Sequence, residues 1–270
     1  MGSAIADLRV WRRLVGARIR ADWQYRTSFF LFLLSQTLVA CLDLAVVAAI
    51  FAQVNTLGGW TGVEVALLFG LSGIAFGLAD LLISQVENAS RHIKAGTFDM
   101  FLLRPLPPLV HLSASEFALR RVGRVLQPLV VLIGALVLAP IEWSPETALL
   151  VPVTLVSGTV IFGSVWVATS SISFWTVDSQ EVANAFTYGG QLATSYPIDL
   201  LAQWLRRLLT FIVPLAFVAY FPAARLLDKE QPLGVTSAIA WATPVVAVLA
   251  VLAARAVWRL AVRHHRSTGS

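Results

Sequence analysis

The chain has 270 residues, 57% hydrophobic and only 13% charged, with a formal charge of +5. Ordinary soluble domains carry about 25% charged residues, and this much apolar surface could not be covered in water. The basic balance does not imply nucleic acid, because the Arg residues flank apolar runs, and Cys41, the single cysteine, allows no intrachain disulfide.

The first 25 residues read as an amphipathic helix. Ile5, Leu8, Trp11, Val15, Ile19 and Trp23 recur at helical spacing, while Arg9, Arg12, Arg13 and Arg20 fall mainly on the other side. Such a helix lies in the membrane interface with its Trp at headgroup level, or is a solvated helix preceding a span. It does not read as a signal peptide, because its Arg residues are spread too widely and no small-residue cleavage site follows the first apolar run.

Six stretches nearly free of charge follow. Between Arg26 and Glu64 the only charge is Asp43, and between Glu64 and Glu87 the only charge is Asp80. Arg124 to Glu142, Glu146 to Asp178, Arg207 to Arg225 and Glu230 to Arg255 contain none. About 20 apolar residues at about 1.5 Å rise cross a bilayer core. The expectation is an all-α polytopic membrane protein with both termini inside. The inside loops and ends would then hold Arg91, Lys94, Arg104, Arg120, Arg121, Arg124, Arg255, Arg259, Arg263 and Arg266. The outer loops are short: Gln53–Thr61, Pro140–Glu146 and about Leu226–Gly234.

One segment makes the count ambiguous. Residues 182–198 are uncharged but carry Asn184, Thr187, Tyr188, Gln191, Thr194 and Ser195. If they lie on the inner surface and 208–224 crosses, only Arg225 and Lys229 are left outside. If they cross and 200–228 is an outer re-entrant hairpin, Arg206 and Arg207 join them outside. Charge favours the first arrangement. Re-entrant backbone is allowed where protein or a water-filled cavity covers it, so charge does not decide.

The inside stretch from Glu87 to Pro108 begins helical, breaks at Gly96, resumes over Phe98–Leu103 and stops at Arg104-Pro105. Phe98, Phe101 and Leu102 share one face with Asp99 beside them. Such a helix suits docking on a cytosolic partner, or is an amphipathic connector on lipid.

The segments IKAGTFDMFLLRPLPPL and YPIDLLAQWLRRLLTFIVPLAFVAYFPAARLL, with the basic first helix and the order of the spans, resemble the ABC-2 type permeases, in a bacterial branch of about 260 residues. The resemblance covers essentially the whole chain. It implies a six-helix transmembrane domain over 26–262 of the type V exporter architecture, preceded by the interfacial (elbow) helix 1–25 and followed by a cytoplasmic tail, 263–270. It further implies a coupling helix at about 87–103 and a re-entrant hairpin at about 200–228, which favours 182–198 as the fifth span. It implies a bacterial inner membrane location, a second permease chain, identical or not, and a separate ABC ATPase subunit. ATP and Mg would sit on that subunit, since this chain has no Gly-x-x-x-x-Gly-Lys-Ser/Thr loop and needs no cofactor of its own. Residues expected to couple to the ATPase are Glu87, Arg91, His92, Lys94, Phe98, Asp99, Phe101 and Arg104.

The polar residues inside the spans are candidates for the substrate pathway. Gln36 and Asp43 are seven apart on one face of the first span, and Gly73, Gly77, Asp80 and Ser84 share a face of the second. A carboxyl in hydrocarbon costs about 2.5–3.5 kcal/mol on insertion scales, so each should face protein or water. Asp43, about 25 Å from Arg26 at helical rise, falls beyond the midplane. Asp43 and Asp80 read either as pathway residues or as interhelical hydrogen-bond partners, and Gly73-x-x-x-Gly77 also permits close helix packing. Asn184, Tyr188, Gln191 and Ser195 form the third candidate group.

His92, His111, His264 and His265 do not group into a metal site, and no catalytic constellation appears. The reading is therefore the membrane subunit of an ATP-driven exporter. Its rivals are an ATP-independent carrier or lipid scramblase and the membrane component of an importer. The absence of an internal repeat argues against an inverted-repeat carrier.

Overall fold

The computed structural model describes residues 2–22, 24, 26–103, 106–115, 119–176, 180–230 and 236–264. Among these the chain is helical and contains no strand; an isolated bridge joins Leu57 and Trp60. The helices are α1 (Gly2–Asp22), α2 (Arg26–Phe51), α3 (Gly62–Leu82), α4 (Ala89–Lys94), α5 (Asp99–Leu102), α6 (Pro108–Ser115), α7 (Gly123–Leu138), α8 (Pro145–Ser170), α9 (Gln180–Thr194), α10 (Gln203–Arg207), α11 (Tyr220–Leu226) and α12 (Thr243–His264). Short 3-10 turns join several of them, including one at Ser84–Asn88 directly after α3.

This is an all-α polytopic architecture. Three helical runs among the described residues are long and apolar enough to cross a membrane: Gly62–Leu82, Pro145–Phe174 and Ser237–His264. The bent pair Gln203–Ile212 and Leu215–Leu226 qualifies only when taken together. α2 runs 26 residues, about 39 Å at helical rise, whereas α7 has 16 and α9 has 15. Helix starts follow local chemistry. The Thr61 backbone N–H donates to Glu64 Oε2 at 2.7 Å, and Ser144 caps α8 ahead of Pro145 at its first turn.

α3 is the central element, packed on α7, α8 and α9. Glycines on α3 let α7 cross tightly. A Cβ on Gly70 would stand 2.8 Å from the Leu132 Cα, one on Gly73 2.6 Å from the Pro128 Cβ, and one on Gly77 2.8 Å from the Arg124 carbonyl oxygen. The glycine face expected on this helix therefore receives a neighbouring backbone, as small residues do in membrane bundles. α9 sets Thr187, Gly190 and Thr194 into the bundle, and the Thr194 and Ser72 hydroxyls meet at 2.5 Å.

Residues 199–229 both enter and leave at the end of the bundle where α3 and α8 begin. At the entry, Asp199 accepts from Tyr220 at 2.5 Å and from Trp60 Nε1 at 3.4 Å, while Arg206 donates to the carbonyls of Asp199 and Leu201. At the exit, Arg225 pairs with Glu146 at 3.1 Å and Lys229 with Glu64 at 3.1 Å. Between them the chain bends by 79° at Val213-Pro214. The segment therefore turns back on itself, its two ends near the starts of α3 and α8. Beside it α9, 15 residues long, packs on α3 and α8.

The opposite end is basic. It gathers α1, the loop from α3 to α7, the turn after α8 and the end of α12. Trp11, Leu14, Val15 and Ile19 pack α1 against Ala114 and Leu81, Trp11 donates to Ser113, and Arg12, Arg13, Arg18 and Arg20 face outward. The amphipathic first helix thus spends part of its apolar face on the chain itself. Ile5, Leu8, Arg9 and Trp23 lie outside the residues whose side chains are described.

Candidate functional site

The connection from α3 to α7 was expected to present an aromatic face outward. The structure turns that face inward. α4 ends in a left-handed Gly96 (φ 66°), and the N–H groups of Thr97 and Phe98 both reach back to the His92 carbonyl. This reversal drives Phe98 and Phe101 into the bundle, where they are 1% and 7% exposed. Phe98 meets Phe174 edge-on at 5.0 Å, Phe174 meets Trp258 of α12 at 5.6 Å, and Phe101 packs on His92 and His111. The outward side chains are Met100, Leu102 and Leu103. Arg91 and Lys94 are also exposed, Arg91 donating to Asn88; His92 contacts the Thr97 hydroxyl, and Asp99 is half-buried at the start of α5. Arg104 lies outside the described residues.

Asp80 is held by two ion pairs. It is wholly buried at the C-terminal end of α3, with Oδ1 2.6 Å from Arg121 Nη1 and Oδ2 2.9 Å from Arg124 Nη1. Arg121 also contacts Ser84, whose hydroxyl donates to the Asp80 carbonyl. The sequence offered an interhelical partner as one of two readings of Asp80, and that is the geometry found. Glu87, seven residues further on, accepts from Trp166 Nε1 at 3.4 Å. Burial pushes its carboxyl above the usual range; the Trp166 hydrogen bond and the Arg121 charge oppose that shift.

Beside this clamp a cavity of about 390 Å³ opens between α2, α3, α7 and α9. Val39, Val46, Val47, Phe69, Phe76 and Leu192 make its apolar wall. Arg124, Gln127, Tyr188, Gln191, Ser195 and Tyr196 make the polar one. Three of the four polar residues expected from α9 are therefore together, while Asn184 sits half-buried one turn away and off the wall. The Arg124 guanidinium stands 6.0 Å from the Tyr188 ring centroid, and Tyr188 stacks edge-on against Phe76 and Trp166. The side chains of Gln36 and Asp43 lie outside the described residues.

Sequence reasoning missed Arg121, Arg124 and Gln127 as partners. A signal was present: an acid near the inner end of one span faces a run of Arg at the start of the next. It also missed Trp166, Phe174 and Trp258, whose role depends on contacts distant in sequence. Among the described residues no group of three or more His, Cys, Asp or Glu could hold a metal ion.

The family model described as ABC-2 family transporter protein matches residues 37–269. Comparisons with curated proteins and with solved structures gave no match.

Proposed function

The chain belongs to the ABC-2 family of transporter proteins, and from that premise we propose that it is the membrane-spanning permease of an ATP-driven exporter, coupled to a separate ATPase subunit. In this reading ATP and Mg are held by the partner, and two permease chains, identical or not, form the lipid-embedded pathway. The basic end, with both termini, faces the cytoplasm of a bacterial inner membrane. Six elements cross: α2, α3, α7, α8, α9 and α12. The 199–229 hairpin covers the outer end.

The observation that carries the proposal is how the loop from α3 to α7 is anchored. Its apolar inner face is locked to α12 through Phe98, Phe174 and Trp258, and it leads directly into the Asp80–Arg121–Arg124 clamp between α3 and α7. A push on its outward face, Met100, Leu102 and Leu103, would move these helices together. Alternating exposure of the α2–α3–α7–α9 cavity is the proposed outcome of that motion.

The test uses the ATP-binding chain that co-purifies with the permease. Met100→Asp combined with Leu103→Asp should reduce permease-stimulated ATP turnover at least tenfold, with membrane insertion and unfolding temperature unchanged. If turnover stays at the wild-type level, these residues do not couple. If no ATP-binding chain co-purifies, an ATP-independent carrier or scramblase becomes the better reading.

The orientation has its own check. Gln203 is exposed on α10. In a chain with Cys41→Ser, a Gln203→Cys thiol is expected to react with a membrane-impermeant reagent in intact cells. Reaction only after permeabilisation would place the hairpin inside and invert the proposed topology.

A further inference from the structure

The inner corner of the cavity holds a charge and a hydrogen-bond donor that the chain itself leaves uncompensated. Arg121 and Arg124 share the single carboxylate of Asp80, so the clamp carries two cations and one anion. Glu87, half-buried, accepts from Trp166, and among the described residues no ion pair joins it to either guanidinium. Arg124 is the only charged residue on the cavity wall among the described residues, and 32% of its side chain is exposed there. One turn along α7, Gln127 lines the same cavity, and its Nε2 is buried with no hydrogen-bond partner among the described residues. Buried donors are nearly always satisfied, so an orphan on a residue that lines a cavity marks a place for an acceptor. The remaining wall, from Val39, Val46 and Val47 to Phe76 and Leu192, is apolar.

The geometry points to a binding site for an amphipathic anion. Its phosphate or carboxylate group would meet Arg124 and Gln127, and its apolar tail would lie along α2. This rests on the pathway reading of the cavity. A guanidinium in a low-dielectric setting binds such oxyanions through parallel N–H donors and binds cations not at all. The volume of about 390 Å³ suits a headgroup with part of a chain. Occupancy would also draw Arg124 from Asp80, which keeps Arg121 and so keeps its place. Cargo binding would then loosen one strand of the clamp beside the coupling loop.

The full chain, in nanodiscs of zwitterionic lipid and without an ATPase, is titrated with octyl phosphate, octyltrimethylammonium and inorganic phosphate, with empty nanodiscs as reference. Octyl phosphate is expected to bind at least tenfold more tightly than either of the others. Arg124→Gln and Gln127→Leu should each reduce that affinity about tenfold. Gln127→Glu provides a second arm that leaves the Asp80 ion pairs in place. It places an acid in the same corner and should remove the preference for the anion over octyltrimethylammonium. Equal binding of the two amphiphiles by the wild type, or a phosphate preference that survives Gln127→Glu, overturns the site. Inorganic phosphate binding as well as octyl phosphate overturns its amphipathic character. A chain that shows the preference yet associates with no ATPase would sink the transport reading and leave the site standing. Coupled ATP turnover without the preference would do the reverse.

Discussion

Asp80→Ala should destabilise the folded protein by about 3 kcal/mol or more, the low end of the range for breaking a buried ion pair by removing one partner. The Asp80 carboxylate is fully buried and serves two guanidiniums, at 2.6 and 2.9 Å. Its removal leaves both cations facing each other between α3 and α7. Their side chains are 16% and 32% exposed, so part of the loss is recovered by swinging toward water. Arg124→Gln should cost much less, because Arg121 still holds the Asp80 carboxylate. Asp80→Asn should fall between, keeping an acceptor oxygen but no charge. Thermal unfolding in one lipid or detergent condition would rank the three variants. An Asp80→Ala protein no less stable than Arg124→Gln would show that the clamp contributes nothing to holding α3 against α7.

The span order was legible because it depends on local composition. Charge-free runs mark α3, α8 and α12 directly, since a helix in hydrocarbon must satisfy its own backbone and carry apolar side chains. The hairpin was not legible from charge. The positive-inside count treats Arg206 as a residue seeking the cytoplasm. In the structure that guanidinium donates to the carbonyls of Asp199 and Leu201 in its own hairpin. A cation satisfied locally carries little orientational information. The clamp lay between. Asp80 was singled out, but its partners are 41 and 44 residues away, and helical periodicity says nothing about which face of the next helix will meet it. The polar face of α9 was legible as a group because Tyr188, Gln191 and Ser195 follow helical spacing. Asn184 fits the same spacing yet stands off the cavity wall.

The largest test of what was misread concerns the aromatic pair of the inner loop. Phe98→Ala with Phe101→Ala should cost several kcal/mol in stability, since truncation of one buried Phe typically costs about 3–5 kcal/mol. The reason is burial on both sides of the short helix α5: Phe98 stands between Phe101 and Phe174, and Phe101 against His92 and His111. Met100→Ala with Leu103→Ala should change stability by no more than about 0.5 kcal/mol per site, because these side chains are 55% and 85% exposed. Helical spacing identified a face but could not say whether it points to the bundle or away from it. Gly96 decides that, by reversing the chain before α5 begins. Unfolding and permease-stimulated ATP turnover, measured on both double variants, separate the two orientations. The Phe pair should lose stability first and turnover as a consequence, and the Met–Leu pair should lose turnover alone. A Phe98→Ala, Phe101→Ala protein with wild-type unfolding and no stimulation would mean that the aromatic face is the docking face after all. The inward packing would then be a state that partner binding reverses.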